Sequence, residues 1–211
     1  MNQIENKPFL EGRTISLLRI SESHRAGIRA WVTHAPDSEF DYMSYGPFKN
    51  QKDFDSWFDE SLSTCERQVL CLSKDGANSI GLMSLMREDI NNQVVEIGSI
   101  QFSPEIQRTV EATEALFLLI NYVFENLGYR RLEWKCDINN LRSKKAASRL
   151  GFKFEGVFRQ HMMVKGRNRD TAWYSIIDSD WPQLKPKFES WLKPENFIDG
   201  KQKSPLAMAN S

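Results

Sequence analysis

Residues 112–127 carry an apolar stripe that only a helix can use. Ala112, Ala115, Leu116, Leu119, Ile120, Val123, Phe124 and Leu127 recur at i, i+3, i+4, i+7, i+8, i+11, i+12 and i+15, one face of a 3.6-residue period. Gly128 follows, where a left-handed C-terminal cap costs glycine nothing, so the spacing predicts a helix over roughly 111–127. Strand-like runs flank it. QVVEIGSIQF ends at Phe102, and in RLEWKCDI the residues Leu132, Trp134, Cys136 and Ile138 alternate with Arg131, Glu133, Lys135 and Asp137, the period of a strand. Strand, helix and strand in that order imply a parallel pair with a right-handed crossover. Between the first strand and the helix lies QRTVEATEAL, Gln107 to Leu116, which would present backbone N–H groups at a helix mouth, a setting that attracts anions. Taken alone, it reads first as an ordinary strand-to-helix connection.

The remaining segments sort around this joint. Arg13 to Ile20 has strand composition, and Ser21 can cap a helix bearing Ile28, Trp31 and Val32, with Pro36 interrupting after it. DYMSYGPFKN, Asp41 to Asn50, mixes aromatic residues with turn formers, so it is expected to be a loop presenting Tyr42, Tyr45 and Phe48, either as a substrate wall or as a plug at the core edge. Asn50 with Asp53 opens a second helix whose Phe54, Trp57, Phe58 and Leu62 are expected to pack inward. Gln68 to Ser73, Ser79 to Met86 and Gln93 to Phe102 read as an antiparallel meander, with Gly98 marking a bulge or a close approach by another backbone or a ligand. Asn139 or Asn140 caps a short helix ending at Leu150 and Gly151, whose first turns carry the cations Arg142, Lys144 and Lys145. Lys153 to Val164 and Asp170 to Ile177 form a hairpin through KGRN, and a last helix holds Trp181, Leu184, Phe188, Trp191 and Leu192. The fold class is α+β: a mixed, mostly antiparallel sheet of about seven strands with one parallel joint and flanking helices. One domain is expected over 1–193, followed by a polar, poorly ordered tail over 194–211.

Lys+Arg and Asp+Glu both number 28, so no net field draws the chain to nucleic acid or to an anionic membrane. Apolar runs are too short to span a bilayer, and MNQIENKPFLEGR lacks the apolar core of a secretory signal, which makes a cytoplasmic location the expectation. Cys65, Cys71 and Cys136 show no ligand spacing, so reduced thiols and no metal are expected. Cys136 on the apolar side of a strand reads as core packing in preference to a nucleophile.

The element order, together with QRTVEATEAL and the later NNLRSKKAASRLGF, resembles the GNAT superfamily of acyl-CoA-dependent N-acetyltransferases, and within it the ribosomal-protein-alanine (Rim-type) branch. The resemblance extends from about Leu10 to Leu192. It implies acetyl-CoA as co-substrate, held by the backbone amides of a Q/R-x-x-G-x-G/A loop. Gln107 and Ala112 match the ends of that loop, and Val110 stands at its first glycine. By the same resemblance Ile100, Phe102, Arg108, Thr109, Glu111, Thr113 and Lys145 are cofactor-binding, Asn140 bonds the pantetheine arm, Ser143 lies three residues on, and Leu150, Gly151 and Phe152 match a closing L-G-F. The tyrosine that many relatives use as general acid is Ala147 here.

Direct acetyl transfer needs a neutral amine, a route for its proton, and donors for the oxyanion and the thiolate. Glu96 is the one acid inside its strand and is the expected base; Ser143 is the expected partner of the sulfur. Tyr42, Tyr45, Trp134 and His161 are candidates for the acceptor site, with His161 and His24 as weaker catalytic alternatives. The expected acceptor is a peptide N-terminus or a small-molecule amine, and the protein a monomer or homodimer. The competing reading is a non-catalytic acyl-CoA-binding regulatory module.

Overall fold

The computed structural model describes residues 8–206. Residues 1–7 and 207–211, which hold most of the segment read for a leader and the end of the polar tail, lie outside the described residues. The chain divides into two compact units, one of residues up to 87 with Ile97–Leu119, the other of Glu88–Glu96 with residues from Ile120 onward.

In the first unit, β1 (Leu10–Glu11), β2 (Ser16–Arg19), β3 (Arg67–Ser73) and β4 (Gly81–Asp89) pair antiparallel in sequence order, and β5 (Val94–Phe102) lies next to β4. Strand β1 is too short to leave a periodic signal, so its existence is visible only through its pairing of Leu10 with Leu17. Ser21 opens a 3-10 turn that leads into α1 (Arg25–Val32), and Asn50 caps α2 (Gln51–Ser63) by accepting from Asp53 N at 3.0 Å. Ile28, Val32, Phe40, Phe54, Trp57, Phe58, Val69, Cys71 and Leu82 form one buried cluster. Leu62 departs from the expected inward stripe and is 37% exposed; it falls in the last turn of α2, where Ser61 is the residue turned inward.

Helix α3 (Val110–Asn121) starts in this unit. It is shorter than the apolar stripe, because Tyr122–Asn126 continue as a π-helical turn in the second unit. The stripe is nevertheless buried at Ala112, Ala115, Leu116, Leu119, Ile120, Val123 and Phe124, and Gly128 adopts φ 67 as the expected left-handed cap.

The second unit is built on β6 (Arg131–Asp137), which pairs in parallel with Val94–Glu96 of β5 and antiparallel with β8 (Arg167–Ile177); β8 in turn pairs with β7 (Lys153–Val164). The parallel joint is therefore the one the strand–helix–strand order demanded. One residue past Gly98, Ser99 takes the left-handed conformation, with φ 49, within the continuous strand β5. The β7–β8 hairpin closes through Lys165 and Gly166, both with positive φ, the two-residue geometry that matches strand twist. Asn140 caps α4 (Leu141–Arg149), and α5 (Trp181–Trp191) buries Trp181, Leu184, Phe188 and Trp191. In the segment expected as a polar tail, Phe197–Ile198 (β9) pairs with Lys201–Gln202 (β10), and the Phe197 ring meets Trp191 edge-on at 5.1 Å.

Candidate functional site

The loop ahead of α3 is braced by its own side chains. Gln107 Nε2 donates to Phe102 O at 3.0 Å, and Thr109 Oγ1 donates to Ile106 O at 2.9 Å. Ala112 N reaches Thr109 Oγ1 at 3.4 Å and Thr109 N reaches Ile106 O at 3.3 Å. The N–H groups of Gln107, Arg108 and Val110 find no acceptor among the described residues. Unpaired amides at the positive end of a three-turn helix are what an oxyanion would satisfy, so these residues fit a pyrophosphate. The left-handed residue of the loop is Arg108, with φ 65, and Val110 is the first helical residue. Valine in place of glycine therefore meets no positive-φ requirement. Glu111 adds an acid to the first turn, offset by Lys74 Nζ at 3.1 Å. Thr113 is buried with Oγ1 3.4 Å from Thr109 O, while Ile100 and Phe102 are half-buried on β5.

In the second unit, Asn140 spends its side-chain oxygen on the cap, accepting from Ser143 N at 3.0 Å. Ser143 Oγ accepts from Trp134 Nε1 at 2.9 Å and also lies in hydrogen-bond reach of the Cys136 thiol. Burial pushes that thiol above its ordinary range, which opposes a nucleophilic role at neutral pH. Cys71 is likewise pushed up, to about 12, by burial. Lys145 is exposed on α4 and Ala147 is fully buried.

Glu96 is buried on β5, and its Oε2 lies 3.0 Å from Lys135 Nζ. Lys135 also contacts Glu133 at 2.7 Å and sits over the Trp173 ring, 3.8 Å from its centroid. Lys135 escaped the sequence reading. The signal available was its alternation with Glu133 and Arg131, which places all three on one face of β6; the parallel register that sets Glu96 opposite Glu133 has no periodic signature.

The aromatic loop packs as a cluster. Tyr45 lies 4.9 Å from Trp57 and 6.2 Å from Phe48, ring to ring, and its hydroxyl donates to Gln101 Oε1 at 3.2 Å. Burial pushes the Tyr45 phenol well above its ordinary range. Beside it is a cavity of ≈ 10 Å³, room for one water, bounded by Tyr45, Trp57, Arg67, Ser84 and Ser99. Trp57 Nε1 is buried without a hydrogen-bond partner. Tyr42 is half-buried in the same loop. In the second unit His161, on β7, is bonded through Nδ1 to Thr171 Oγ1 at 3.0 Å and borders a surface hollow of ≈ 750 Å³.

Residues 15–153 match the acetyltransferase (GNAT) domain model. The chain belongs to the GNAT family. A GCN5-related N-acetyltransferase from Brucella melitensis is 42% identical and superposes with a TM-score of 0.90 over 96% of this chain and 93% of its own. A GNAT-family protein from Chromobacterium violaceum, described as a probable acetyltransferase, is 36% identical with a TM-score of 0.75, over 82% and 87% of the two chains. YdaF of Bacillus subtilis, by name a candidate ribosomal N-acetyltransferase, is 32% identical over 101 residues, which make up 48% of this chain and 55% of that protein. The chain thus spans about half the length of the curated relatives it matches.

GNAT membership fits the bare amides ahead of α3, since the family's co-substrate is acetyl-CoA. Two features bear on how protons would move. The position where many relatives carry a tyrosine acid is the buried Ala147, which has no proton to give. The strand acid Glu96 stands 3.0 Å from Lys135 Nζ in a buried ion pair. Among the described residues no group of three or more His, Cys, Asp or Glu side chains converges as a metal site, and no helix is long and apolar enough to cross a membrane.

Proposed function

We propose that the protein is an acetyl-CoA-dependent N-acetyltransferase acting on a primary amine, a peptide N-terminus or a small molecule, by direct attack. The observation that carries this reading is the set of unpaired amides at Gln107, Arg108 and Val110 at the start of α3, in a chain of the GNAT family. Gln107 to Thr113 would hold the pyrophosphate through backbone donors, with Arg108 adding charge and Ile100 and Phe102 contacting the thioester end from β5. Asn140, through the amide nitrogen left over from capping, would bond the pantetheine arm, and Lys145 would meet a phosphate oxygen. Tyr42, Tyr45, Trp134 and His161 are the acceptor-side candidates.

In the reaction an ammonium acceptor gives one proton to Glu96, directly or through one water, and the neutral amine attacks the thioester carbonyl to form a tetrahedral intermediate; as that collapses the C–S bond breaks, and the second proton on the nitrogen passes through water to the departing thiolate, leaving the amide and the free thiol. Ser143, whose oxygen accepts from Trp134, would hydrogen-bond that sulfur. Thiolate is a good leaving group that water can also protonate, so the alanine at position 147 is tolerable. A protonated amine cannot attack at all, which makes proton removal the step the protein must serve.

Buried Ala147 favours one other reading, a non-catalytic acyl-CoA-binding module. Free thiol release from acetyl-CoA with a panel of amines separates the two: peptides, polyamines, amino sugars and aminoglycosides are each tested. Turnover with one class supports the enzyme. Acetyl-CoA binding in calorimetry with no thiol release from any amine supports the module. If Glu96 is the base, Glu96→Gln lowers kcat by about 10²-fold and leaves the affinity for acetyl-CoA nearly intact.

A further inference from the structure

The register of β5 against β6 places Glu96 directly opposite Glu133 on neighbouring parallel strands, and like charges so placed destabilise a sheet. Lys135 lies two residues beyond Glu133, hence on the same face. Its ammonium stands 3.0 Å from Glu96 Oε2 and 2.7 Å from Glu133 Oε2. Side-chain exposure is 9% for Lys135, 4% for Glu96 and 13% for Glu133, so little water is present to weaken the attraction. From a third side Trp173, the antiparallel partner of Lys135 on β8, lays its ring 3.8 Å from the ammonium. Glu133 has a second cation, Arg131, whose Nε is 2.9 Å from Oε1 and whose other end is held by Glu155 at 2.6 Å. The charge of Lys135 is therefore not consumed by Glu133.

We propose that Lys135 is a positioning residue that fixes the charged carboxylate of Glu96 in one orientation for taking the acceptor's proton. The inference rests on the acetyl-transfer reading. A lysine suits the place because its compact ammonium is a point charge that can attract two carboxylates and a ring at once, whereas a guanidinium is a planar fork. Without Lys135 the two carboxylates would face each other with no shared cation. Like charges so close repel in a site with little water, so the two side chains would move apart. That movement takes Glu96 out of its working geometry.

The test uses the full chain and the best amine from the acceptor panel. Lys135→Met is expected to lower kcat by about 10- to 100-fold with the KM for acetyl-CoA changed by less than about twofold, the split expected of a residue that serves the transfer step. Lys135→Arg is expected to recover part of that loss. Glu96→Gln with Lys135→Met should be no slower than Glu96→Gln alone, because residues acting through one another are non-additive. Losses that multiply instead would overturn the proposal. Lys135→Met with Glu133→Gln removes one charge of each sign, which protects folding, and it should still be slow; a wild-type rate would show that Lys135 served only to neutralise Glu133. If Glu96→Gln is as fast as wild type, the base assignment falls and Lys135 with it. If Glu96→Gln is slow and Lys135→Met fast, Lys135 alone falls.

Discussion

Gly12 shows how much a single residue can decide. Glu114, buried on α3, accepts from Arg13 N at 2.8 Å and from Thr14 N at 2.7 Å, and Thr14 Oγ1 adds a third bond. One carboxylate thus satisfies the turn between β1 and β2, and the turn fits only because residue 12 has no side chain. A Cβ there would lie 2.8 Å from Ile15 O and 2.9 Å from the Glu114 carboxyl carbon. Gly12→Ala is expected to lower stability by about 1–3 kcal/mol, the usual range for overpacking against atoms that cannot retreat. A urea midpoint unchanged from wild type would show that the turn relaxes freely. Nothing in the string Leu-Glu-Gly-Arg-Thr announced this contact, since it joins positions about a hundred residues apart. Glu96 was legible as the one acid within its strand, yet its partner was not. The side-chain alternation of β6 is written in the residues, whereas the register between parallel strands comes from a crossover that fixes no pairing locally.

At the scale of elements, local chemistry was the better guide. Asn50 and Asn140 cap the helices expected of them, and Gly128 and Gly151 take the positive φ that ends a helix. Each signal acts within a few residues, so tertiary packing had little scope to override it. The π-helical turn at Tyr122–Asn126 was not legible, because an i+5 widening leaves the apolar stripe intact. Asn50→Ala is expected to lower stability by about 0.5–2 kcal/mol through the lost cap, while acetyl transfer is unaffected, as α2's cap belongs to no proposed binding group; thermal melts measure the first and free-thiol release from acetyl-CoA the second. The loop before α3 makes a sharper prediction. Arg108→Glu is expected to weaken acetyl-CoA binding by about tenfold or more, since a charge-assisted bond is exchanged for repulsion. Lys201→Glu, in β10, is expected to leave it within about twofold at moderate salt. Equal effects in calorimetry would remove the loop from the site.

For the molecule as a whole, formal net charge is zero at pH 7, so pH acts on stability through particular groups before any general repulsion builds up. His24 is buried; its Nδ1 accepts from Ser21 N at 3.1 Å, and its Nε2 has no hydrogen-bond partner. Burial lowers its pKa below the ordinary 6.5. Above pH 6.5 both folded and unfolded chains hold it neutral and it has no effect. As pH falls through 6.5 the unfolded chain binds the proton first, so stability declines, and the decline stops once pH passes below the folded value. Glu155 acts lower on the scale. Its hydrogen bond to Arg131 brings its pKa from 4.5 down to about 2, so its contribution is complete above 4.5 and is lost as pH drops from 4.5 toward 2. Because the carboxylate is 40% exposed, that contribution is about 1 kcal/mol or less. Urea midpoints across pH 8 to 3 should therefore fall in two windows, one beginning near 6.5 and one near 4.5. In His24→Asn, which keeps an acceptor for Ser21 N but cannot titrate, the upper window should vanish while the lower one stays. A decline below 6.5 that persists in His24→Asn would place the titrating group elsewhere, and the Ser21–His24 turn would then be a cap with no part in the response to pH.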